Sequence, residues 1–164
     1  GNGDNNLAIG QSYQGGIIFY IFQPGDTGYV AGEQHGLIAA TADQSVGIVW
    51  WNGTNIVTGA TGTAIGTGLT NTNAIIAAQG SGSYAASIAR DYNGGGYTDW
   101  FLPSKDELNQ LYVNSAAIGA FTYNYYWSST EDDNDDAWKQ NFSNGSQDYG
   151  DKVSQDYVRA VRAF

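Results

Sequence analysis

Carboxylates are the only chemically versatile side chains that this 164-residue chain holds in quantity. Cysteine is absent, which excludes disulfides, thiolate metal sites and a cysteine nucleophile. The one histidine, His35, lies in the segment EQHGL, and no nucleophile-elbow motif accompanies it. We therefore expect His35 to be a turn residue or a structural hydrogen-bonding group. With one histidine and no cysteine, a zinc site built on a histidine pair is also excluded.

The acidic side chains outnumber the basic ones by 16 to 6, which gives a net charge of −10. Paired carboxylates could hydrolyse a glycosidic bond, but nothing in the sequence isolates one such pair. We therefore expect a protein that is not an enzyme, with a glycan hydrolase as the alternative. The acidic balance argues against nucleic acid and anionic lipid as partners, because both require clustered lysine and arginine. No apolar run approaches the roughly 18 residues of a membrane span, so we expect no direct membrane insertion.

The densest acidic segment is Glu131–Asp136, with five acids in six residues. These charges repel one another unless water, a cation or a cationic partner screens them. Calcium would be satisfied by their oxygens, with Asp133, Asp135 and Asp136 as the candidate ligands. The run lacks the spaced acidic pattern of an EF-hand loop, so the sequence favours a solvated loop without a cofactor. A bound cation and direct ligand contact remain the alternatives.

A polar and aromatic segment continues from this run. Between Asp132 and Tyr157, 17 of 26 residues are Asp, Asn, Ser, Tyr or Gly. Tyrosine offers contact area with few rotatable bonds and Asn and Asp offer adaptable hydrogen bonds, although hairpin turns favour the same residues. We expect Trp138 to be the exposed aromatic that stacks on a sugar or contacts a protein, with Tyr149 and Tyr157 next. The candidate ligand-binding residues are Asp132, Asp133, Asn134, Asp135, Asp136, Trp138, Gln140, Asn144, Ser146, Gln147, Asp148, Tyr149, Asp151, Ser154, Asp156 and Tyr157.

The apolar pattern predicts the elements that position these residues. It indicates a flexible lead-in over residues 1–8 and one domain over 9–164, with strands first, then helices, then a β-rich end. The first helical region has a break at Gly80–Gly82, and the second begins after Pro103 with Ser104 and Glu107 as a capping box. This order predicts an α+β fold in which two helices pack on antiparallel strands. Strands are expected at 16–22, 36–40, 48–51, 125–129, 137–142, 147–152 and 157–164, the helical regions at 71–92 and from 103, and a packed irregular loop at 52–70.

Several side chains in these elements are expected to be structural. Trp100 and Leu102 are two residues apart and should face one side of an extended segment, and Trp127 should be a core anchor. Arg159 and Arg162 are an odd number apart, so one strand would point them to opposite faces. We expect one of them to pair with Glu107 or Glu131.

Three segments carry a family resemblance: Gly96–Leu111 (GYTDWFLPSKDELNQL), Tyr126–Glu131 (YWSSTE) and Tyr157–Phe164 (YVRAVRAF). Together with GGIIFYI near the start, they resemble a bacterial domain family named after the C-terminal domain of a collagen-like adhesin. The resemblance runs from about Ile9 to Phe164. It implies a C-type-lectin-like fold, related in layout to formylglycine-generating enzymes and to variable tip proteins diversified by retroelements.

The resemblance implies a ligand-binding domain at the distal end of a bacterial surface protein or phage fibre. The related formylglycine activity works through cysteines, which this chain lacks, and the EPN or QPN calcium tripeptide of animal C-type lectins is absent. Mutation of the adenines in an Asn codon yields the five residue types enriched here, so retroelement diversification is an alternative to ordinary hairpin turns.

The expected function is therefore a non-enzymatic adhesin or receptor-binding tip domain, extracellular on a bacterial cell or phage particle, that recognises a glycan or protein on a cell surface. The family implies binding of sulfated glycosaminoglycans, but eight of the 16 acids lie between Glu131 and Asp156 and would repel such a ligand. The excess of acidic side chains favours a neutral glycan, a cation-bridged glycan or a basic protein as the ligand. A structural trimerisation cap is a further alternative, and a fibre context would make the protein a homotrimer, although no heptads support this.

Overall fold

The computed structural model describes residues 6–164. It confirms an α+β protein, with nine strands and four α-helices in this part of the chain. In chain order these are β1 (Ser12–Tyr13), β2 (Gly16–Ile21), β3 (Gly36–Ala39), β4 (Ser45–Ile48), α1 (Gly68–Gln79), α2 (Ala85–Asp91), α3 (Lys105–Val113), α4 (Ser115–Ile118), β5 (Tyr125–Glu131), β6 (Asp136–Asn141), β7 (Gln147–Asp151), β8 (Asp156–Val158) and β9 (Val161–Ala163), with a short 3-10 turn at Gly94–Gly96.

The strands form two sheets. The first has the order β1-β2-β3-β9 and the second the order β4-β8-β5-β6-β7. Neighbouring strands are antiparallel except β5 and β8, which pair in parallel through Tyr126 and Tyr157. The expectation of purely antiparallel strands is thus wrong at this one pair. Because β8 is inserted between two strands of opposite direction, it must run parallel to one of them.

The C-terminal segment 157–164 forms two strands rather than the single one expected. β8 belongs to the second sheet and β9 to the first, so the chain crosses between the sheets at Arg159 and Ala160. Arg159 Nε donates to Asp43 Oδ1 at 2.9 Å, and Arg162 Nε donates to Asp99 Oδ1 at 2.7 Å. The expected pairing of an arginine with Glu107 or Glu131 is therefore wrong, because the crossover brings both guanidinium groups beside loop aspartates.

The first helical region divides at Gly80–Gly82 into α1 and α2, as its glycines indicate. It begins earlier than expected, at Gly68, with Thr67 in the N-cap position. Thr72 is buried, and its hydroxyl donates to Gly68 O at 2.8 Å and accepts from Leu102 N at 3.1 Å. The expectation of two helices is corrected to four, because the first region is split and the short α4 follows α3.

Helix α3 begins as its capping box predicts. Ser104 Oγ accepts from Glu107 N, and Glu107 Oε1 accepts from Ser104 N at 2.8 Å. Glu107 is completely buried, and its other oxygen accepts from Gly66 N at 2.8 Å, just before α1. Burial raises the pKa of this carboxyl, against the backbone donors of Ser104 and Gly66. Glu107 therefore joins the starts of two helices.

The core contains three fully buried tryptophans, Trp50, Trp100 and Trp127, and Leu102 is buried with them. The sequence predicts structural roles for Trp100, Leu102 and Trp127. The strand expected at 48–51 lies earlier, at Ser45–Ile48, because Trp50 leaves the sheet to enter this core. Its indole donates to Ser128 O at 2.9 Å, and the Trp127 indole donates to Ile48 O at 2.8 Å. These two bonds fix the irregular segment before α1 against β5.

Part of the expected lead-in, residues 1–5, lies outside the described residues. At its end, Leu7 is half-buried against the core, and its backbone exchanges hydrogen bonds with the Gln34 side chain at 2.9 and 3.3 Å. None of the described helices is long and apolar enough to cross a membrane.

Candidate ligand-binding face

A buried ion pair holds the base of the acidic loop that joins β5 to β6. Lys152 Nζ lies 2.8 Å from Glu131 Oε2, and both side chains are 1% exposed. The same ammonium group donates to Asn134 O at 2.9 Å and to Ile56 O at 3.1 Å, and lies 4.7 Å from the ring centroid of Trp50. All three protons of the lysine thus have acceptors, as a buried ammonium group requires.

Glu131 accepts further hydrogen bonds from the segment before α1. Thr58 donates through its backbone N–H and its hydroxyl at 2.9 Å each, and Gly59 N donates at 3.3 Å. The carboxylate that ends the YWSSTE motif is therefore saturated by donors from Lys152, Thr58 and Gly59. It supports the acidic loop and is not available to a ligand.

The four residues after Glu131 are exposed, and Asp136 is half-buried. Asp133 Oδ1 accepts the backbone N–H of Asp135 at 3.0 Å and that of Asp136 at 2.8 Å. The hydrogen bond from Asp136 is the main cause that lowers the pKa of Asp133. Its hydrogen bond with Asp133 raises the pKa of Asp135, and partial burial raises that of Asp136. Hydrogen bonds between the loop's own residues thus fix its shape, and the carboxylates of Asp132, Asp133 and Asp135 are exposed to water.

The carboxylates that come together in this loop differ from the expected set. Oxygens of Asp132, Asp133 and Asp136 lie within 4.8 Å of one another, and Asp135 is outside this group. The reason lies in the turn: Asp132 N donates to Asp136 O at 3.0 Å and so places these two residues side by side. This group shares Asp133 and Asp136 with the expected metal ligands and has Asp132 in place of Asp135.

The aromatic pair of the hairpin is formed by Trp138 on β6 and Tyr149 on β7, which are direct neighbours in register. Their ring centroids are 5.4 Å apart in an edge-to-face arrangement. Lys105 Nζ, from the start of α3, lies 3.6 Å from the Trp138 ring centroid, and Trp138 is half-buried. Tyr149 is 57% exposed. Tyr149 therefore offers the open aromatic surface expected of Trp138, because Lys105 covers the indole.

Gln140 was expected on the ligand-binding surface but is completely buried. Its amide donates to Asn109 Oδ1 at 2.9 Å and to Gly145 O at 3.0 Å. Helix α3 packs on this part of β6 and removes Gln140 from solvent. Gln140 is therefore a structural residue that joins α3 to the hairpin turn.

Asp156 and Tyr157 are also mainly structural. Asp156 Oδ2 lies 3.3 Å from Lys139 Nζ, and its side chain is 13% exposed. Burial raises the pKa of Asp156, and the neighbouring Lys139 opposes this shift. Tyr157 is half-buried, with its ring centroid 5.3 Å from that of Tyr126 in the core.

The remaining candidates surround Tyr149. Asp148 is exposed and accepts from the hydroxyls of Tyr125 at 2.8 Å and Ser146 at 3.1 Å. Gln147 donates its amide to Lys105 O at 3.0 Å, which ties β7 to α3. We call the solvent-facing set the β6–β7 face; it comprises Asp132, Asp133, Asn134, Asp135, Asp136, Trp138, Asn144, Ser146, Gln147, Asp148, Tyr149, Asp151 and Ser154.

Charge is distributed unevenly over the described residues. Four of the six basic side chains are in ion pairs, with Asp43, Asp99, Glu131 and Asp156. Of the other two, Arg90 donates to Thr98 O and Lys105 lies over Trp138. By contrast, six acids of the β6–β7 face have no basic partner within 4 Å among residues 6–164: Asp132, Asp133, Asp135, Asp136, Asp148 and Asp151. The net negative charge is therefore concentrated on this face.

Two further features lie outside this face. His35 has the expected structural role: Nε2 lies 2.7 Å from Glu33 Oε2 and Nδ1 lies 3.1 Å from Phe164 O. A shallow cleft of about 460 Å³ lies beside α2. Of its polar lining residues, Asp43 and Gln44 are already bound, to Arg159 and to Ala160 N, which leaves Asp91, Tyr92 and Asn93. The cleft therefore offers a ligand fewer unbound groups than the β6–β7 face does.

Sequence reasoning missed Lys105 and Tyr125 as neighbours of this face. Lys105 comes from a helix 33 positions before Trp138, and Tyr125 bonds to Asp148 across β6. Both contacts depend on how α3 and β5 pack against the hairpin. The LPSK segment itself carries no signal of this contact.

The comparisons with known proteins agree with this architecture. A fimbrial protein from Bacteroides ovatus, known from a crystal structure, has a similar fold, with a TM-score of 0.58 at 15% sequence identity. The alignment covers 98% of this chain and 46% of that protein, so the chain spans about half its length. No curated protein matches the chain. The sequence pattern of the Lcl C-terminal domain matches residues 39–162, which include all three motif segments except the last two residues, and the chain therefore belongs to the Lcl C-terminal domain family.

Proposed function

We propose that this domain is a non-enzymatic ligand-binding module of a bacterial surface protein, an adhesin or receptor-binding domain, and that its β6–β7 face binds a glycan or protein. The observation that carries the proposal is Tyr149, which is 57% exposed beside Trp138 on a paired hairpin. Aromatic rings held by a rigid scaffold and surrounded by polar groups are typical of recognition surfaces.

The fold and the relatives support a surface location. The family takes its name from a C-terminal domain, and the structural neighbour is described as fimbrial. We further propose that the two-sheet arrangement is C-type-lectin-like. In its support, the last strand β9 joins the sheet that contains β1, so both ends of the described chain lie in one sheet, and the second sheet carries the β6–β7 face.

The charge of the face restricts the ligand. Six unpaired carboxylates repel sulfated or phosphorylated ligands, since like charges at short range are unfavourable. Asp151 lies two residues after Tyr149 on β7, so the two side chains face the same side and a ligand that stacks on this ring also meets this acid. Asp148 faces the opposite side of the strand. A neutral glycan or a basic protein fits this combination, and a cation-bridged glycan would require an ion at Asp132, Asp133 and Asp136.

We propose that the domain has no resident cofactor and that the acidic loop is solvated. Calcium titration by calorimetry and thermal shift tests this against the calcium alternative. The proposal expects no heat of binding and no change of melting temperature. A saturable heat that disappears in Asp132→Asn and Asp136→Asn variants would establish the calcium alternative.

A glycan and protein array probed with the isolated domain tests the function itself. Each hit is measured again with Tyr149→Ala and with Tyr123→Ala as the matched control, because Tyr123 is 83% exposed and lies outside the β6–β7 face. We expect Tyr149→Ala to weaken binding at least about tenfold, as loss of an interface aromatic does. Retained binding in Tyr149→Ala, or equal losses in both variants, would refute the assignment of this face.

The alternatives have separate signatures. A hydrolase would turn over a glycan hit and lose this turnover on Asp→Asn substitution, and a trimerisation cap would sediment as a trimer by itself. Retroelement diversification would leave, at the exposed positions, codons that differ from an Asn codon only at its adenines, and a reverse transcriptase gene nearby. Ordinary hairpin turns require neither.

A further inference from the structure

The outer edge of β7 is an unpaired sheet edge. Asn141 N donates to Ser146 O at 2.9 Å, and Lys152 N donates to Asp135 O at 2.8 Å, at the two ends of the β6–β7 ladder. Because bonded pairs alternate in an antiparallel ladder, Asp148 and Gly150 point their backbone groups towards β6. The backbone N–H groups of Gln147, Tyr149 and Asp151 therefore point outward, together with the C=O groups of Gln147 and Tyr149.

The other three edges of the two sheets are less suited to pairing. β1 has only two residues, and β4 has a register irregularity between Ser45 and Ile48. The outer edge of β9 is occupied by Phe101, which exchanges two backbone hydrogen bonds with Val161 at 2.8 and 2.9 Å. β7 pairs continuously over five residues. Within residues 6–164 it is thus the longest regular edge without a backbone partner.

The charges on this edge select the partner. Proteins protect an exposed edge with charged side chains, because these prevent pairing with a like-charged strand. Asp148 and Asp151 on β7, with Asp136 opposite Asp151 on β6, oppose pairing of β7 with a second copy of itself. The same carboxylates attract a strand that carries lysine or arginine.

We propose that the β7 edge binds an extended, basic peptide segment of a partner protein by strand addition. This inference rests on the proposed ligand-binding function of the β6–β7 face and assigns its partner class. The added segment forms backbone hydrogen bonds with the outward groups of Gln147, Tyr149 and Asp151. Its cationic side chains lie near Asp148 on one face and near Asp151 on the other, since alternate residues of a strand face opposite sides.

Three synthetic peptides of about nine residues, roughly twice the length of β7, serve as probes. The first alternates pairs of valine with pairs of lysine, so that lysines face both sides of the strand, and the second has glutamate in place of lysine. The third is the first peptide with every backbone N–H methylated; it keeps the charge but has no N–H donor, so it cannot complete a ladder. Binding to the unmodified domain is measured by calorimetry, and protection of the Gln147 and Tyr149 amides by hydrogen exchange.

We expect the valine–lysine peptide to bind, the valine–glutamate peptide not to bind, and the N-methylated peptide to bind at least about tenfold more weakly than the first. The amides of Gln147 and Tyr149 should become protected. Absence of binding by the first peptide, or equal binding of the two lysine peptides, would overturn the proposal. Equal binding would mean that only charge attracts the peptide.

A pair of protein variants gives an independent test. Tyr149→Pro removes the ring and the outward N–H but leaves the β6–β7 ladder bonds intact, whereas Tyr149→Ala removes the ring alone. We expect Tyr149→Pro to bind the valine–lysine peptide at least about tenfold more weakly than Tyr149→Ala, and equal affinities would refute strand addition. If Tyr149→Ala weakens the binding of array ligands but no strand peptide binds, the proposed function stands and this inference fails. If neither depends on Tyr149, both fail.

Discussion

Glu131 and Asp132 are adjacent in the chain but belong to opposite kinds of region. Glu131 is buried and is bound by Lys152, Thr58 and Gly59. Asp132 is exposed and has no basic partner in the described structure. The same contrast holds between the buried arginines of the C-terminal crossover, which are ion-paired, and the exposed carboxylates of β7, which have no ion-pair partner in the described residues.

This difference separates the charges that stabilise the fold from those that can meet a ligand. A buried charge is tolerated only when partners replace its lost hydration, so Glu131 and Lys152 are committed to each other. An exposed carboxylate retains water and contributes little to stability. The family motif therefore ends at a structural acid, and the ligand-facing acids begin one residue later.

The largest expected effect is on the buried pair. Lys152→Met leaves the Glu131 carboxylate buried without its cation, so we expect the free energy of unfolding to fall by about 3–5 kcal/mol. Chemical denaturation measures this loss. The matched control is Lys105→Met, since Lys105 contacts Trp138 but has no carboxylate within 4 Å in the described chain. Its loss should be about 0.5–1 kcal/mol, the usual contribution of an exposed cation–π contact. Equal losses in the two variants would show that the buried ion pair contributes no more to stability than the contact between Lys105 and Trp138.

A second test addresses the exposed acids. The triple variant Asp132→Asn, Asp133→Asn, Asp135→Asn keeps a side-chain oxygen at each position, including the one that accepts the turn N–H groups at Asp133. We expect unchanged or slightly higher stability at low salt, because repulsion within the loop is removed. A greater loss of stability than in Lys105→Met would show that these acids are structural.

A third test concerns His35, which forms a partly exposed pair with Glu33. Its hydrogen bond to Glu33 is the main cause that raises its pKa, with the contact to Phe164 O second. A histidine pKa that is higher in the folded state stabilises the protein below the unfolded value of about 6.5, and this contribution disappears as pH rises through the folded value. His35→Gln should therefore cost less than about 1 kcal/mol, and more at pH 5.5 than at pH 8.5. Glu33→Gln should reproduce this pH dependence, and a pH-independent cost in either variant would contradict it.

The sequence predicted the elements whose signals are local. The capping box at Ser104 and Glu107, the glycine break before α2 and the core role of Trp127 depend on neighbours within a few positions, and each is confirmed. The α+β order and the family assignment are confirmed for the same reason: motifs such as WFLPSKDEL are contiguous.

The features that could not be predicted depend on packing between distant segments. The crossover that divides residues 157–164 between two sheets carries no local signal, because VRAVRAF has the pattern of one continuous strand. The burial of Gln140 results from α3 packing on β6, and the cover of Trp138 results from Lys105. Alternation along β6 could place these side chains on one face but could not show that a helix lies against it.

The most direct test of the central proposal is to map a bound array ligand on the isotopically labelled domain by NMR. We expect the amide shifts to change most between Asp132 and Ser154, with Tyr149 near the centre, and to change little beside α2. Changes centred on the cleft near Ile88 and Asn93, with the β6–β7 hairpin unaffected, would contradict the proposal that this protein recognises its ligand through the β6–β7 face.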